Sequence, residues 1–115
     1  MFDRTIMIGS EGRLGKALSA LMPHALLPKL VELDITDFNQ IEKFFKGKNF
    51  DCLINLAAFT DVDACESKCS DCFALNSIAP AQLAKVASSH HAKYIWISTD
   101  YVFDGTALIP YQVGD

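Results

Sequence analysis

Short apolar runs alternate along the chain with stretches of helical spacing, and the first run ends at a glycine. Residues Thr5–Ile8 (TIMI) stop at Gly9, and two further runs occupy residues 52–56 (CLINL) and 94–98 (YIWIS). Apolar, partly β-branched runs of this length, bounded by turn signals, are typical of buried strands. The pattern therefore predicts three strands separated by helical segments.

The segments between these runs show the three- and four-residue spacing of helices. After Gly9, the apolar residues with this spacing are Leu14, Ala17, Leu18 and Leu21. Asp37 can cap a second helix, with Gln40 three residues later as in a capping box, and Gly47 lies just past its end. The apolar face of this second helix consists of Ile41, Phe44 and Phe45.

A third helix is predicted over residues 67–89, which are rich in Ala, Leu and Lys, with a kink or restart at Pro80. Between the first two helices, short strands are expected near residues 25–27 and 31–33, interrupted by Pro28. Strands that alternate with helices pair in parallel through right-handed crossovers. The predicted fold class is therefore α/β, a doubly wound parallel sheet with helices on both faces.

Composition indicates a soluble globular chain. Half of its 115 residues are apolar, 21% are charged and the formal net charge is −4. This length fits one domain over residues 1–115, and the charge shows no bias towards nucleic acid. The apolar run before Gly9 is too brief for a signal peptide or a membrane span, so a cytoplasmic protein without a membrane partner is expected.

Three of the four cysteines fall within the eight residues CESKCSDC, as Cys65, Cys69 and Cys72. Their C-x3-C-x2-C spacing is that of radical S-adenosylmethionine enzymes, so a cluster or metal site is one interpretation. The other is free thiols on one face of a helix, since positions i, i+4 and i+7 lie together. A cluster or zinc site needs further ligands, whereas Cys52 lies on a strand. Free thiols and no metal are therefore favoured.

Ligands of doubly wound sheets bind where strands end, and the loop after the first strand reads GSEGRLG. This GxxGxxG lets the backbone approach a pyrophosphate, which the following helix N-terminus attracts. The alternative is a tight turn whose glycines serve only packing. No acid clearly ends a second strand to hold a ribose 2′-hydroxyl, whereas Arg13 and Lys29 suit a 2′-phosphate, which leans weakly towards NADP over NAD. The equally ordinary alternative is that both are solvated surface charges.

The loops after the other two predicted strands also carry candidate chemistry. In NLAAFTDVD, the small Ala57 and Ala58 let a flat cofactor lie against the chain, and Thr60 offers a hydroxyl. Tight helix–sheet packing is the alternative. In STDYVFDG, a pair of hydroxyl residues is followed by Asp and Tyr, and this group can hydrogen-bond a carbonyl or a sugar hydroxyl. The alternative is that a hydroxyl only caps the strand. Asp104 and Gly105 are expected to form a turn.

Taken in order, the motifs resemble one enzyme family. GxxGxxG, LDITD, INLAAFTDVDACE, ALNSIAPAQLA and WISTDYVFDG together are similar to the N-terminal part of the dTDP-4-dehydrorhamnose reductases, which are extended short-chain dehydrogenase/reductases. The resemblance runs from Thr5 to about Tyr111. It implies a Rossmann-like fold that binds NADP or NAD.

The resemblance also implies roles for individual residues. The dinucleotide phosphates would be cradled by Gly9, Gly12, Arg13, Leu14 and Gly15, and the adenine would lie by Asp34 and Ile35. The ribose and nicotinamide would be flanked by Ala57, Ala58, Phe59 and Thr60. Thr99 would be the catalytic hydroxyl that bonds the 4-keto oxygen, and the sugar nucleotide would be approached by Val62, Asp100 and Tyr101. Asn76 would support the active site.

The implied reaction is hydride transfer from NADPH or NADH to a 4-keto deoxysugar nucleotide, with protonation by a tyrosine beside a lysine. That Tyr-x-x-x-Lys pair occurs nowhere in the 115 residues. The chain is therefore expected to be the cofactor-binding half, cut before this pair, without the substrate-binding part and inactive alone.

Two further expectations follow from the resemblance. The non-catalytic regulatory β subunit of methionine adenosyltransferase carries a similar SDYVFDG stretch and binds NADP, which leaves a binding subunit as the alternative function. The full-length protein would take a nucleotide sugar as its substrate, and a homodimer is compatible with the family.

Overall fold

The structure is a computed structural model, and it describes residues 4–115. Its sheet has three parallel strands in the order β1-β2-β3. The strands are β1 (Thr5–Ile8), β2 (Cys52–Asn55) and β3 (Lys93–Trp96). Ile8 pairs with Asn55 and Asn55 with Trp96, so all three strands end at the same edge. The predicted parallel α/β sheet is confirmed, with strand bounds within two residues of those expected.

The helices lie between and after the strands. They are α1 (Arg13–Leu21), α2 (Phe38–Phe45), α3 (Val62–Ser67), α4 (Cys69–Phe73) and α5 (Ala79–Ser89). A π-helical turn, Ala74–Ile78, joins α4 to α5, and a 3-10 turn covers Asp100–Val102.

The single helix expected over residues 67–89 is wrong, because the helical segment begins earlier and is interrupted. Lys68, with φ −120° and ψ 44°, leaves the helical region and separates α3 from α4. The expected kink or restart at Pro80 takes the form of the π-helical turn directly before it: the backbone stays helical through Ile78 and Ala79, and Pro80 lies in the first turn of α5.

The segment between α1 and α2 contains less strand than predicted. Residues 25–27 contribute one parallel bridge, in which Leu26 accepts from the Met7 amide at 2.9 Å and donates to the Thr5 carbonyl at 2.8 Å. The strand expected at 31–33 is wrong. There the amides of Glu32 and Leu33 both donate to the Lys29 carbonyl, so a turn consumes the groups that a strand would offer to a neighbour.

The predicted cap of α2 is confirmed. The Asp37 carboxylate accepts from the amides of Asn39 at 2.9 Å and Gln40 at 3.3 Å. The Gln40 side chain reaches back past the usual capping-box partner and accepts from the Asp34 amide at 2.9 Å. The two caps join α2 to the turn before it.

The core lies on both faces of the sheet, because alternate strand residues point to opposite sides. One face packs against α2 and α5 and contains Ile6, Ile8, Leu33, Ile35, Ile41, Phe45, Phe50, Leu53, Ala79, Leu83 and Ala87. The other, smaller face contains Met7, Cys52 and Ile54, with Leu18 and Met22 of the α1 side packed on it. Leu14 and Leu21 are exposed, so the apolar spacing of α1 is only partly used for burial.

The third strand is less enclosed than its neighbours. No residue of β3 is buried, and Ile97 directly after it is exposed as well. Residues 104–115 are all exposed, and the Cα radius of gyration is 15.2 Å, against about 13 Å for a compact domain of this length. Among residues 4–115, no helix has both the length and the apolar character needed to cross a membrane.

Candidate functional site

The three loops singled out in the sequence leave the sheet at one edge. The register that aligns Ile8, Asn55 and Trp96 places the loops starting at residues 9, 56 and 97 beside one another. In doubly wound sheets this carboxyl edge is where ligands bind. The structure therefore brings the candidate residues of these loops to the same side of the molecule.

The glycine loop packs directly against the loop after β2. Gly9 has φ +80°, a conformation that favours glycine, and a β-carbon there would lie 2.6 Å from the Ala57 amide nitrogen. A β-carbon at Gly15 would lie 2.3 Å from the Gly9 carbonyl oxygen. Packing therefore accounts for both of these glycines.

Gly12 is different, because packing does not require it. It has φ −72° and ψ 173°, which any residue adopts, and the nearest atom to an added β-carbon is the Gly9 oxygen at 3.4 Å. It caps α1 at the point where that helix meets the carboxyl edge. A side chain at this position would occupy open space in front of the helix, which is the space a ligand would fill.

The N-terminus of α1 is suited to an anion. No side chain caps it, and no acidic residue lies in its first turn. A helix N-terminus with unsatisfied amides and a partial positive charge binds phosphate or carboxylate groups favourably. Arg13 and Leu14, both exposed, form this first turn, so the geometry fits the phosphates of a dinucleotide.

Asn55 holds the second loop in place, a role that the sequence reasoning missed. Its fully buried carboxamide accepts from the Ala57 amide at 3.1 Å and lies 3.5 Å from the Tyr94 hydroxyl. Burial raises the pKa of Tyr94, and the contact with Asn55 opposes that shift. A polar residue at the end of an otherwise apolar strand was the available signal.

Asn76 anchors the same loop from the opposite side. Its side-chain oxygen accepts from the Phe59 amide at 2.8 Å, and its nitrogen donates to the Phe59 carbonyl at 2.9 Å. Asn76 belongs to the π-helical turn, a feature that often occurs at functional sites. Ala57 and Phe59 are half-buried, while Ala58 and Thr60 are exposed. Hydrogen bonds therefore fix the backbone of the loop, and its side chains at alternate positions are exposed to solvent.

The two residues expected by the adenine have separate environments. The Asp34 carboxylate accepts from the amide and the hydroxyl of Thr36, at 2.9 and 2.7 Å. Ile35 is buried in the core. Their place beside an adenine stays a prediction, and Ile35 would contribute to it mainly through its backbone.

The third loop makes hydrogen bonds within itself. Thr99 caps the 3-10 turn: its hydroxyl accepts from the Tyr101 amide at 3.2 Å and donates to the Asp100 carboxylate at 3.2 Å. Asp100 and Tyr101 are exposed, as is Val62 at the start of α3. The catalytic and substrate roles of these residues stay predictions.

The turn predicted at Asp104 and Gly105 is confirmed. Gly105 has φ +75°, and Asp104 accepts from the amide and the hydroxyl of Thr106. These hydrogen bonds, the amide first, lower the pKa of Asp104. Tyr111 donates to the same carboxylate at 3.2 Å and stacks on Phe103, which closes this segment on itself.

The cysteine cluster does not form the single helical face expected from its spacing, because the break at Lys68 divides it between two helices. Cys65 of α3 donates through its thiol to the sulfur of Cys72 in α4, at 2.7 Å, while Cys69 donates to the Glu66 carbonyl. All four cysteines are free thiols in this structure. Within residues 4–115, no three His, Cys, Asp or Glu side chains are placed to hold a metal ion.

A cavity of about 270 Å³ lies away from these loops. Thr5, Leu26 and Phe50 line it, at the amino ends of the strands. Because ligands of open α/β sheets bind at the carboxyl ends, we assign the functional site to the loop edge and not to this cavity.

The chain matches a known protein family over almost its whole length. The family model described as the RmlD substrate binding domain matches residues 3–115. A dTDP-4-dehydrorhamnose reductase of Mycolicibacterium smegmatis is 36% identical over 120 residues, which cover 100% of this chain and 36% of that protein. The probable low-salt glycan biosynthesis reductase Agl14 of Haloferax volcanii is 42% identical over 86 residues, covering 75% of this chain and 29% of that protein.

Solved structures give the same result. A dTDP-4-dehydrorhamnose reductase from Clostridium acetobutylicum superposes with a TM-score of 0.90 at 35% identity, covering 97% of this chain and 41% of that one. The Bacillus anthracis enzyme, in complex with NADP, has a TM-score of 0.84 at 32% identity, covering 94% and 40%.

The curated relatives named above are much longer than this chain, which spans 29% and 36% of their lengths. The match nevertheless includes the glycine loop, the loop after β2 and the loop after β3, because it extends over residues 3–115. The Rossmann-like fold and the resemblance inferred from the motifs are confirmed. The chain belongs to the RmlD substrate binding domain family, whose members matched here include the dTDP-4-dehydrorhamnose reductases.

Proposed function

We propose that this chain binds NADP(H) at the carboxyl edge of its sheet and is the dinucleotide-binding domain of a reductase acting on a 4-keto deoxysugar nucleotide. Gly12 carries the proposal, because the fold itself does not require a glycine there and a phosphate approaching α1 would. The M. smegmatis relative, a dTDP-4-dehydrorhamnose reductase, and the B. anthracis structure with NADP support the choice of substrate and cofactor.

The phosphates are held by the first turn of α1. The amides of this turn lack a side-chain cap, and Gly12 allows a phosphate to approach them closely. Arg13 adds a positive charge at the same end of the helix. Gly9 allows the loop to pack against the loop after β2, and Gly15 allows α1 to pack against the backbone of Gly9 and Ser10, so the amides are fixed before the ligand arrives.

The segment that follows Leu26, beside β1, favours NADPH over NADH. Leu26 pairs with β1, and the next charged residue along the chain is Lys29. The nearby acid, Glu32, accepts from the Lys29 amide at 2.9 Å, so one of its carboxylate oxygens is already engaged by backbone. A ribose 2′-phosphate therefore meets the Lys29 cation here, whereas a 2′-hydroxyl shares the Glu32 carboxylate with the Lys29 amide.

NADPH supplies the hydride when it is bound. The chain itself contributes the Thr99 hydroxyl to the reaction. When substrate binds, this hydroxyl stops donating its hydrogen bond to Asp100 and donates it to the 4-keto oxygen of the substrate. Its bond to Asp100 is long for an O–H···O contact, so the exchange costs little, while the Tyr101 amide keeps the oxygen in position. Asp100, Tyr101 and Val62 contact the sugar nucleotide.

The loop after β2 presents its backbone to the ribose and nicotinamide. Asn55 and Asn76 hold this loop from two sides, so residues 57–60 keep their shape without the cofactor. The same proposal places the protein in the cytoplasm, as a homodimer. Sedimentation velocity of the protein measures that association.

The chain alone is proposed to bind cofactor without reducing a sugar. A protonating Tyr-x-x-x-Lys pair is absent from its 115 residues, and Thr99 by itself provides only one hydrogen bond to the oxyanion. NADPH oxidation in the presence of dTDP-4-dehydrorhamnose measures this directly. Turnover by the 115-residue chain would contradict it.

The binding proposal is tested by calorimetric titration with NADPH and NADH. We expect NADPH to bind more tightly, and Lys29→Ala to reduce that preference. Gly12→Val should abolish binding and leave the fold intact, because its β-carbon meets nothing closer than 3.4 Å. Gly114→Val is the matched control, since an added β-carbon there meets nothing within 4 Å. Unchanged NADPH affinity in Gly12→Val would overturn the proposed site.

A further inference from the structure

The break at Lys68 brings together two thiols that a continuous helix would hold apart. Residues seven apart in an α-helix are separated by about 10 Å along its axis. Because α3 and α4 fold against each other instead, the sulfurs of Cys65 and Cys72 are 2.7 Å apart, and both side chains are partly exposed. An S–S bond is about 2.05 Å long, so only a small movement is needed to form one.

We propose that Cys65 and Cys72 are a redox-active pair that forms a reversible intramolecular disulfide beside the Asn76-anchored loop. Two donors, the Cys65 thiol and the Asn76 side-chain nitrogen at 3.4 Å, point at the Cys72 sulfur. The hydrogen bond to Cys72 raises the pKa of Cys65 to about 11. Because both donors point at the Cys72 sulfur, we assign Cys72 as the attacking sulfur and Cys65 as the resolving thiol.

The oxidant is a small-molecule disulfide of the glutathione class. The Cys72 thiolate attacks one of its sulfurs, the S–S bond breaks, and one small thiol leaves with a mixed disulfide formed on the protein. Cys65 then loses its proton to solvent and attacks the Cys72 sulfur, which releases the second small thiol. Two protein thiols are oxidised and one small disulfide is reduced, and excess small thiol reverses both steps.

The other two cysteines are not placed to take part. Cys52 is fully buried in β2, and burial raises the pKa of its thiol. Cys69 is exposed, but its thiol is directed at the Glu66 carbonyl, 3.2 Å away. Selectivity for the Cys65–Cys72 pair therefore follows from position, and Cys69 provides a control cysteine only three residues from the pair.

The disulfide also acts on the loop after β2, through Asn76. Asn76 donates to the Cys72 sulfur and to the Phe59 carbonyl with the same nitrogen, so moving that sulfur towards Cys65 weakens the hold on Phe59. We expect faster hydrogen exchange at the Phe59 amide in the oxidised chain. Any effect on dinucleotide affinity rests on the proposed function, whereas the disulfide and the exchange at Phe59 do not.

Peptide mapping tests the pair. The 115-residue chain is equilibrated with oxidised glutathione, its remaining thiols are alkylated, and it is digested with trypsin without reduction. Lys68 lies between the two cysteines, so cleavage places Cys65 in peptide 49–68 and Cys72 in peptide 69–85. We expect these two peptides to be joined by a bond that a reductant breaks, with fragment ions that identify Cys65 and Cys72.

Three matched variants decide the assignment. Cys69→Ser should keep the linked pair at the wild-type level, whereas Cys65→Ser and Cys72→Ser should lose it completely. Loss of the link in Cys69→Ser, its survival in Cys65→Ser through Cys52, or disulfides only between chains would each overturn the proposal.

Hydrogen exchange at Phe59, measured by NMR without cofactor, tests the coupling, and equal rates in both redox forms would overturn it. Absence of NADPH binding in both forms, with the disulfide present, would count against the proposed function alone.

Discussion

The neighbouring strands β2 and β3 have similar apolar sequences and opposite environments. Ile54 of β2 is 7% exposed and its partner Ile95 in β3 is 36% exposed; Asn55 is 0% exposed and its partner Trp96 is 42% exposed. The central strand has a hydrogen-bonded neighbour on each edge and side-chain layers on both faces, whereas β3 pairs only with β2 within residues 4–115. An apolar strand thus becomes buried only where other elements surround it.

The loops at the carboxyl edge show the same contrast. The first two are held by contacts between elements, since Gly9 packs on Ala57 and Asn76 reaches across to Phe59. The loop after β3 is closed mainly by hydrogen bonds among its own residues. Local opening free energies follow burial, so we expect the dinucleotide side of the edge to be the more stable side.

The largest test of this contrast truncates the two paired isoleucines. Ile54→Ala should lower the free energy of unfolding by about 2–5 kcal/mol, because it leaves a cavity in a packed core. Ile95→Ala, the same change on an exposed site, should cost less than about 1 kcal/mol. Urea denaturation of both variants measures the difference. Equal losses would mean that β3 is enclosed in solution.

The glycine loop gives the next largest effect. Gly15→Ala forces a β-carbon to within 2.3 Å of the Gly9 oxygen, and overpacking of this kind costs about 1–3 kcal/mol. Gly12→Ala meets no such contact and should remain within about 1 kcal/mol of the wild type. Thermal unfolding of the pair separates the glycine required by packing from the one proposed to face a ligand. A larger loss in Gly12→Ala would reverse those two assignments.

Two helix caps provide a smaller comparison. Asp37→Ala should cost about 1 kcal/mol of global stability, because α2 contributes buried residues to the core. Asp61 caps α3, which has no buried residue, so Asp61→Ala should leave the global transition nearly unchanged and speed amide exchange only locally. Chemical denaturation together with hydrogen exchange checks both, and Asp37→Ser serves as the cap-preserving control.

The smallest effect concerns two exposed carboxylates, Asp51 directly before β2 and Asp104 in the loop after β3. The hydrogen bond from Arg4 lowers the pKa of Asp51, and the Thr106 amide lowers that of Asp104, in both cases from 3.8. A lowered pKa adds stability above pH 3.8, which is lost as the pH falls through the folded-state pKa. NMR titration should therefore find both below 3.8, with Arg4→Gln restoring Asp51 alone. An ordinary value at Asp104 would show that its turn does not persist.

Local signals in the sequence predicted much of this molecule correctly. The strand positions, the Asp37 cap and the turn at Gly105 depend on residues within a few positions of one another, so their physics is visible in the sequence. The order of the motifs also predicted the family, through their resemblance to the dTDP-4-dehydrorhamnose reductases, and the family model over residues 3–115 confirms it. The roles of the individual site residues remain predictions.

The remaining features depended on contacts between distant residues. Residues 31–33 have a strand-like composition, yet the Lys29 carbonyl captures their amides and Val31 stays exposed. Asn55 reads as an ordinary polar residue until Tyr94 and Ala57 surround it. The cysteines have helical spacing, but a break at Lys68 turns one predicted face into a pair of touching thiols.

By itself, the sequence determined the three strands, the Asp37 cap and the positions of the glycines, because periodicity, capping and backbone freedom are local properties. The family followed from the resemblance of the ordered motifs to known reductases. Only the tertiary structure decided that Gly12 is the glycine not required by packing, that Asn76 holds Phe59 and that β3 is left exposed. Burial and hydrogen-bond partnership are properties of pairs of elements, and the chain must fold before those pairs exist.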